Sequence, residues 1–157
     1  MLNILLIEDS EDDAFLLEKA LNREGINCSL RRVENGVQAV SYLEGEGNHA
    51  DRNISPFPDV VFTDLNMPVM DGFEVLHWLK THPKRSVLPV MVFSASADAG
   101  DIDRAYRLGA NAYLVKPSSM VELQASVVVA HEFWKRCAKA AALGTGNGGA
   151  WERSSAN

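Results

Sequence analysis

Leu5–Asp13 reads LLIEDSEDD. Its aliphatic half belongs to a short run, Ile4–Ile7, that stops abruptly at Glu8 and gives way to acids as far as Asp13. A nearly continuous branched-aliphatic run of this length suits a strand buried on both faces, as in a parallel sheet covered by helices. The acids after it suit the start of a helix, whose N-terminal dipole favours negative charge. The same alternation recurs downstream. Apolar runs at Cys28–Val33, Val60–Thr63, Val87–Ser94 and Ala112–Val115 are interleaved with helical patterns near Val37–Leu43, Gly72–Lys80, Asp101–Leu108 and Ser119–Ala142; Glu11–Glu24 is the first helix. Strand alternating with helix five times predicts an open α/β sheet with right-handed crossovers. The second run alternates rather than staying apolar, which predicts an edge strand.

Punctuation agrees with this count. Gly25 and Gly109 follow the first and fourth helices as C-terminal caps, and Ser119 with Glu122 reads as a capping box opening the fifth. Gly45–Pro58 (GEGNHADRNISPFP) is polar and longer than an ordinary helix-to-strand connection. From Gly144 the chain becomes GTGNGGAWERSSAN, which predicts a disordered tail over 144–157 behind a single domain spanning 1–143.

The chain has 157 residues, enough for one domain, with 46% hydrophobic and 23% charged residues. A formal charge of −6 argues against nucleic-acid binding. No run approaches the ~18 apolar residues of a membrane span. The N-terminus has no basic lead of the kind a signal peptide carries. Cys28 and Cys137, far apart and outside any CxxC pair, fit reduced thiols in a cytoplasmic protein.

In an open parallel sheet the site forms beyond the C-terminal ends of the strands. Strand one ends in Glu8-Asp9, strand three in Asp64, strand four in Ser94 and strand five in Lys116-Pro117. Three crowded carboxylates either hold protons or hold a metal, because like charges a few ångströms apart raise one another's pKa. An all-oxygen donor set suits Mg²⁺ and not zinc, with no His or Cys at ligand spacing. Lys116 and the Ser94 hydroxyl then face an anion arriving at the metal. The chemistry this favours is attack by one carboxylate on phosphorus to give an aspartyl phosphate.

LLIEDSEDD, VFTDLNMPVMDG (Val61–Gly72), VFSAS (Val92–Ser96) and ANAYLVKP (Ala110–Pro117) together resemble the response-regulator receiver family of two-component signalling, in that family's order, over roughly Met1–Trp134. The resemblance implies a flavodoxin-like, doubly wound (βα)5 fold with five parallel strands in the order 2-1-3-4-5. It implies Asp64 as phosphoacceptor, with Mg²⁺ (Mn²⁺ able to substitute) held by Asp9, by Glu8 through water, by Asp64 and by the Asn66 backbone carbonyl. Lys116 would pair with the phosphoryl group across a cis Lys116–Pro117 bond. Ser94 would be the switch hydroxyl, Tyr113 the aromatic that turns inward behind it, and Ala95 the small residue that leaves the donor a path. Asn66 and Ser96 would tune the phosphoryl lifetime. The acidic pair is Glu-Asp where many relatives have Asp-Asp. The long loop, the DLNMP form, His82-Pro83 and Phe133-Trp134 resemble, more narrowly, single-domain regulators associated with phytochrome-type histidine kinases.

The fifth helix carries more apolar surface than one sheet face needs. Leu123, Val127, Ala130, Trp134 and Cys137 form one stripe, and Val121, Ala125, Val128, Val129 and Phe133 widen it. A homodimer through the face of the fourth helix, fifth strand and fifth helix, using Val127, Phe133 and Trp134, is the expectation. With no room for an output domain after Trp134, the signal would pass by protein contact. A phosphatase of the haloacid-dehalogenase type wants an acid where Asn66 stands, and an FMN phosphate would be repelled by Glu8–Asp13. A receiver that has lost phosphorylation would lack some of these site residues. His49, His77, His82 and His131 have no paired ligands and read as structural or exposed.

Overall fold

The computed structural model describes residues 1–140. The expected disordered tail therefore lies outside the described residues. Five strands, β1 (Leu2–Ile7), β2 (Cys28–Val33), β3 (Val60–Thr63), β4 (Val90–Ser94) and β5 (Ala112–Val115), form one parallel sheet in the order β2-β1-β3-β4-β5. Between and after them run α1 (Glu11–Arg23), α2 (Gly36–Glu44), α3 (Gly72–Thr81), α4 (Ala99–Arg107) and α5 (Met120–Arg136).

The two-residue period of the central strands divides the core. Leu5, Ile7, Val61, Val90 and Val92 face the side covered by α2, α3 and α4, where Leu43, Leu76, Leu79 and Ala105 meet them. Ile4, Leu6, Val60, Phe62 and Phe93 face α1 and α5, against Leu17, Ala20, Leu123 and Val127. The alternating second run is indeed the edge strand, half-buried along most of its length.

Local chemistry sets the boundaries. Ser10, Asn35, Asp71, Asp98 and Ser119 each accept a backbone N–H at the start of a helix. The full reciprocal capping box forms at Asp71–Glu74, whereas Ser119 caps α5 by its hydroxyl on the Glu122 N–H. Gly25 (φ +62°) and Gly109 (φ +104°) leave α1 and α4 in the left-handed region. β4 begins at Val90 and not at Val87, because Pro89 cannot donate to the ladder.

The fifth helix stops at Arg136, short of the expected Ala142; Cys137 is already extended (ψ 136°), and Ala141–Ala142 lie outside the described residues. Ala138–Ala140 are exposed, and helix formation without tertiary burial is weak. Val127 is 4% exposed, packed in the core, and Trp134 is half-buried against the same cluster. Val127 therefore presents no open face, which corrects its assignment to a dimer surface, while Trp134 is only partly covered. Phe133, 69% exposed, does present one, as does Val129 one turn earlier.

The 45–58 connection is long but pinned. Arg52 donates to the Tyr42 (2.8 Å), Leu43 (2.8 Å) and Ser55 (3.3 Å) carbonyls, thereby capping the C-terminus of α2. The Tyr42 hydroxyl donates to the Pro56 carbonyl at 2.8 Å.

Candidate functional site

Glu8, Asp64 and Lys116 are each the first residue past their strand, and the backbone N–H of each closes the last rung of the ladder: Glu8 to the Val33 carbonyl (2.9 Å), Asp64 to Ile7 (3.0 Å), Lys116 to Ser94 (2.7 Å). The sheet thus fixes these backbones and leaves the side chains to meet above its C-terminal edge. Carboxylate oxygens of Glu8, Asp9 and Asp64 all lie within 4.8 Å of one another. Lys116 Nζ donates to Glu8 Oε2 at 2.6 Å, Asp13 Oδ2 at 2.8 Å and Asp64 Oδ2 at 2.9 Å. The other Asp64 oxygen accepts the Leu65 N–H at 2.6 Å.

Burial pushes the Glu8 carboxyl, 1% exposed, above its ordinary value, against the pull of Lys116 and the Ser10 N–H. Burial also acts to lower the Lys116 ammonium. The Asp13, Glu8 and Asp64 carboxylates outweigh it and hold the group above its usual range, so it stays a cation. Four carboxylates against one ammonium leave the cluster short of positive charge. The three that converge offer only hard oxygen donors around a partly open position, which fits a small divalent cation.

The remaining expected residues sit on the loops around this edge. Ser94 ends β4 fully buried, its Oγ accepting the Ser96 N–H at 3.2 Å. Ala95 and Asn66 are exposed on the loops after β4 and β3. Ser96 donates to Asp101 Oδ2 (2.7 Å) in the first turn of α4. Tyr113, half-buried on β5, donates to the Ser96 carbonyl at 2.8 Å, which couples the outer strand to the loop that carries Ser94. The loop from Asp64 to Gly72 doubles back so tightly that a Cβ on Gly72 would lie 2.1 Å from the Asp64 carbonyl oxygen. Val69, in the same loop, has φ +69°.

The Lys116–Pro117 bond is trans, a correction to the cis form that the resemblance implies. The intrinsic preference at an X–Pro bond is only about 0.5–1 kcal/mol, so the surroundings select the isomer. Here the trans form already delivers the ammonium to three carboxylates.

Two residues at the site escape sequence reasoning. Asp13 reads as one of several helix-opening acids, yet its carboxylate reaches Lys116. Arg32, on the edge strand, donates to the Glu8 (2.8 Å) and Asp9 (3.0 Å) carbonyls and so holds the β1–α1 turn. The period-two pattern of β2 marks Arg32 only as one of its polar positions.

Known proteins resemble this chain over most of its length. The family model described as the response regulator receiver domain matches residues 4–128. Response regulator Rcp1 of Synechocystis sp. is 34% identical over 131 residues, covering 83% of this chain and 87% of its own. Its Mn²⁺-bound crystal structure superposes with a TM-score of 0.78, at 32% identity over 90% of this chain and all of that one. Response regulator RPA3017, in red light signaling of R. palustris, gives a TM-score of 0.84 at 34% identity, covering 88% and 97% of the two chains. The phosphorylated cyanobacterial phytochrome response regulator RcpA gives 0.78 at 34%, covering 87% and 96%. No helix among the described residues is long and apolar enough to cross a membrane. By sequence, sheet order and the constellation at the strand ends, this chain belongs to the response regulator receiver domain family of two-component signalling.

Proposed function

We propose that Asp64 accepts a phosphoryl group from a sensor histidine kinase, and that the chain signals by altering a protein-binding face. The observation that carries this reading is the Lys116 ammonium, 2.9 Å from Asp64 at the mouth of a three-carboxylate cluster. That arrangement supplies a nucleophile, a fixed cation and oxygen ligands in one place. Glu8, Asp9, Asp64 and the Asn66 backbone carbonyl would hold Mg²⁺, or Mn²⁺ as in the Rcp1 structure. The ion, when bound, would offset charge on the transferring group. Asp64 attacks, Lys116 pairs with a phosphoryl oxygen, and Ala95 leaves the approach open. The same site carries out the gain and the loss of the phosphoryl group, with Asn66 and Ser96 setting its lifetime.

Ser94 and Tyr113 relay the change. Both now hydrogen-bond to Ser96, so drawing the Ser94 hydroxyl toward a phosphoryl oxygen disturbs the loop that Tyr113 holds. The red-light and phytochrome regulators it resembles favour a phytochrome-type kinase as partner, and the two free thiols, Cys28 and Cys137, favour the cytoplasm. Dimerisation through α4, β5 and α5 is supported by exposed Phe133 and Val129, with Tyr106 and Val115 open on the neighbouring elements. In this reading the receiver domain spans residues 1–143.

The test is incubation of wild type and Asp64→Asn with acetyl phosphate, with and without Mg²⁺, followed by intact mass and size-exclusion elution. One phosphoryl group gained with Mg²⁺ by wild type alone supports the reading. Absence of gain from acetyl phosphate and from a histidine-kinase donor alike would sink it, leaving a passive interaction module.

A further inference from the structure

Lys116 has three N–H donors, and all three are committed: to Glu8, to Asp13 and to Asp64. Asp64 is equally committed, with one oxygen on the Leu65 N–H and the other on Lys116. For an Asp64 oxygen to attack phosphorus, Lys116 must hand one N–H from Asp64 to the incoming phosphoryl oxygen. The other two bonds decide whether the ammonium stays in place during that exchange. Glu8 grips it from β1 and is fully buried; Asp13 grips it from α1 and is 40% exposed. The two anchors come from different elements, so together they fix the ammonium in direction as well as in distance.

We propose that Asp13 is a positioning residue for phosphoryl transfer, holding Lys116 on its second anchor while the third N–H moves from the Asp64 carboxylate to the phosphoryl group. This rests on Asp64 being the phosphoacceptor. With acetyl phosphate the step balances simply. An Asp64 oxygen forms the new O–P bond, and the P–O bond to acetate breaks with its electron pair leaving on acetate. No proton changes hands, and Lys116 remains an ammonium throughout.

An anchoring role and a mere surface charge have opposite signs. If Asp13 contributed only negative charge near the site, neutralising it would ease the approach of an anionic donor and speed phosphorylation. As an anchor, its loss slows the reaction. The experiment measures phosphorylation of the whole chain by acetyl phosphate at saturating Mg²⁺ for wild type, Asp13→Asn and Asp13→Glu. It also records the side-chain ¹⁵N signal of the Lys116 ammonium in metal-free protein. The expected result is a maximal rate lowered about tenfold in Asp13→Asn, the scale of a modest misplacement of a catalytic group, with donor affinity unimpaired. Asp13→Glu recovers most of the rate, and the slowly exchanging Lys116 signal is lost in Asp13→Asn alone. An Asp13→Asn rate equal to or above wild type, or a slow Asp13→Asn that Asp13→Glu fails to rescue, overturns the proposal. Wild type that takes up no phosphoryl group would count against Asp64 as acceptor, and the Lys116 signal would still decide whether Asp13 anchors it.

Discussion

At the scale of single residues, the site stores unfavourable charge. Asp64 is 8% exposed beside Glu8 and Asp9, with one lysine to share. Replacing Asp64 by Asn removes one of the crowded charges while keeping an acceptor for the Leu65 N–H. The metal-free variant should therefore be more stable than wild type by about 1 kcal/mol, read from urea unfolding in EDTA. Adding Mg²⁺ should stabilise wild type and do little for the variant. Val69 stores strain of another kind, a β-branched residue at φ +69° and 81% exposed. Val69→Gly should raise stability by about 1 kcal/mol with no loss of contact, checked by the same unfolding series. The carboxylates Glu8, Asp9 and Asp64, with Ser94 and Lys116, were legible because each stands at the end of an apolar run, although β5, which leads to Lys116, is only half-buried. Asp13 and Arg32 were not, since the meeting of α1's first turn and the edge strand with these groups is a product of tertiary packing.

At the scale of elements, every strand and α-helix was visible in the hydrophobic pattern, the short 3₁₀ turn at Gly47–His49 was not, and the other errors lie at ends. β4 starts late because of Pro89, and α5 stops early where Ala138–Ala140 are exposed and gain no burial from continuing the helix. The 45–58 connection shows what a polar, loop-like stretch conceals. Its order depends on the Arg52 guanidinium reaching back to the Tyr42 and Leu43 carbonyls near the end of α2. Arg52→Ala should cost about 2–3 kcal/mol by thermal or urea unfolding and raise hydrogen exchange in the loop and at the end of α2. Arg52→Lys should recover little of this, since an ammonium cannot reproduce the planar fork.

At the scale of the whole molecule, the two helical layers differ in purpose. The α2–α3–α4 side and the α1–α5 side each bury one face of the sheet, but α5 keeps apolar side chains in reserve on its outer surface. Of the stripe along α5, Leu123 and Val127 lie in the core and Ala130, Trp134 and Cys137 are half-buried, while the phase of the helix assigns the outer face to Val129 and Phe133. If that face joins two copies, Phe133→Asp should shift size-exclusion elution to the monomer while phosphorylation by acetyl phosphate continues unchanged. Elution identical to wild type would remove this face from consideration.

The lysine at the centre of the site is also the last of its parts to be made. Its partners lie 108, 103 and 52 residues earlier in the chain. Because β1, α1 and β3 all precede β5 along the chain, a chain emerging from the ribosome carries its carboxylates long before their cation. A nascent chain that stops short of β5 holds the acids without the cation that the proposed transfer needs, so in that reading an unfinished copy stays outside the signalling pool.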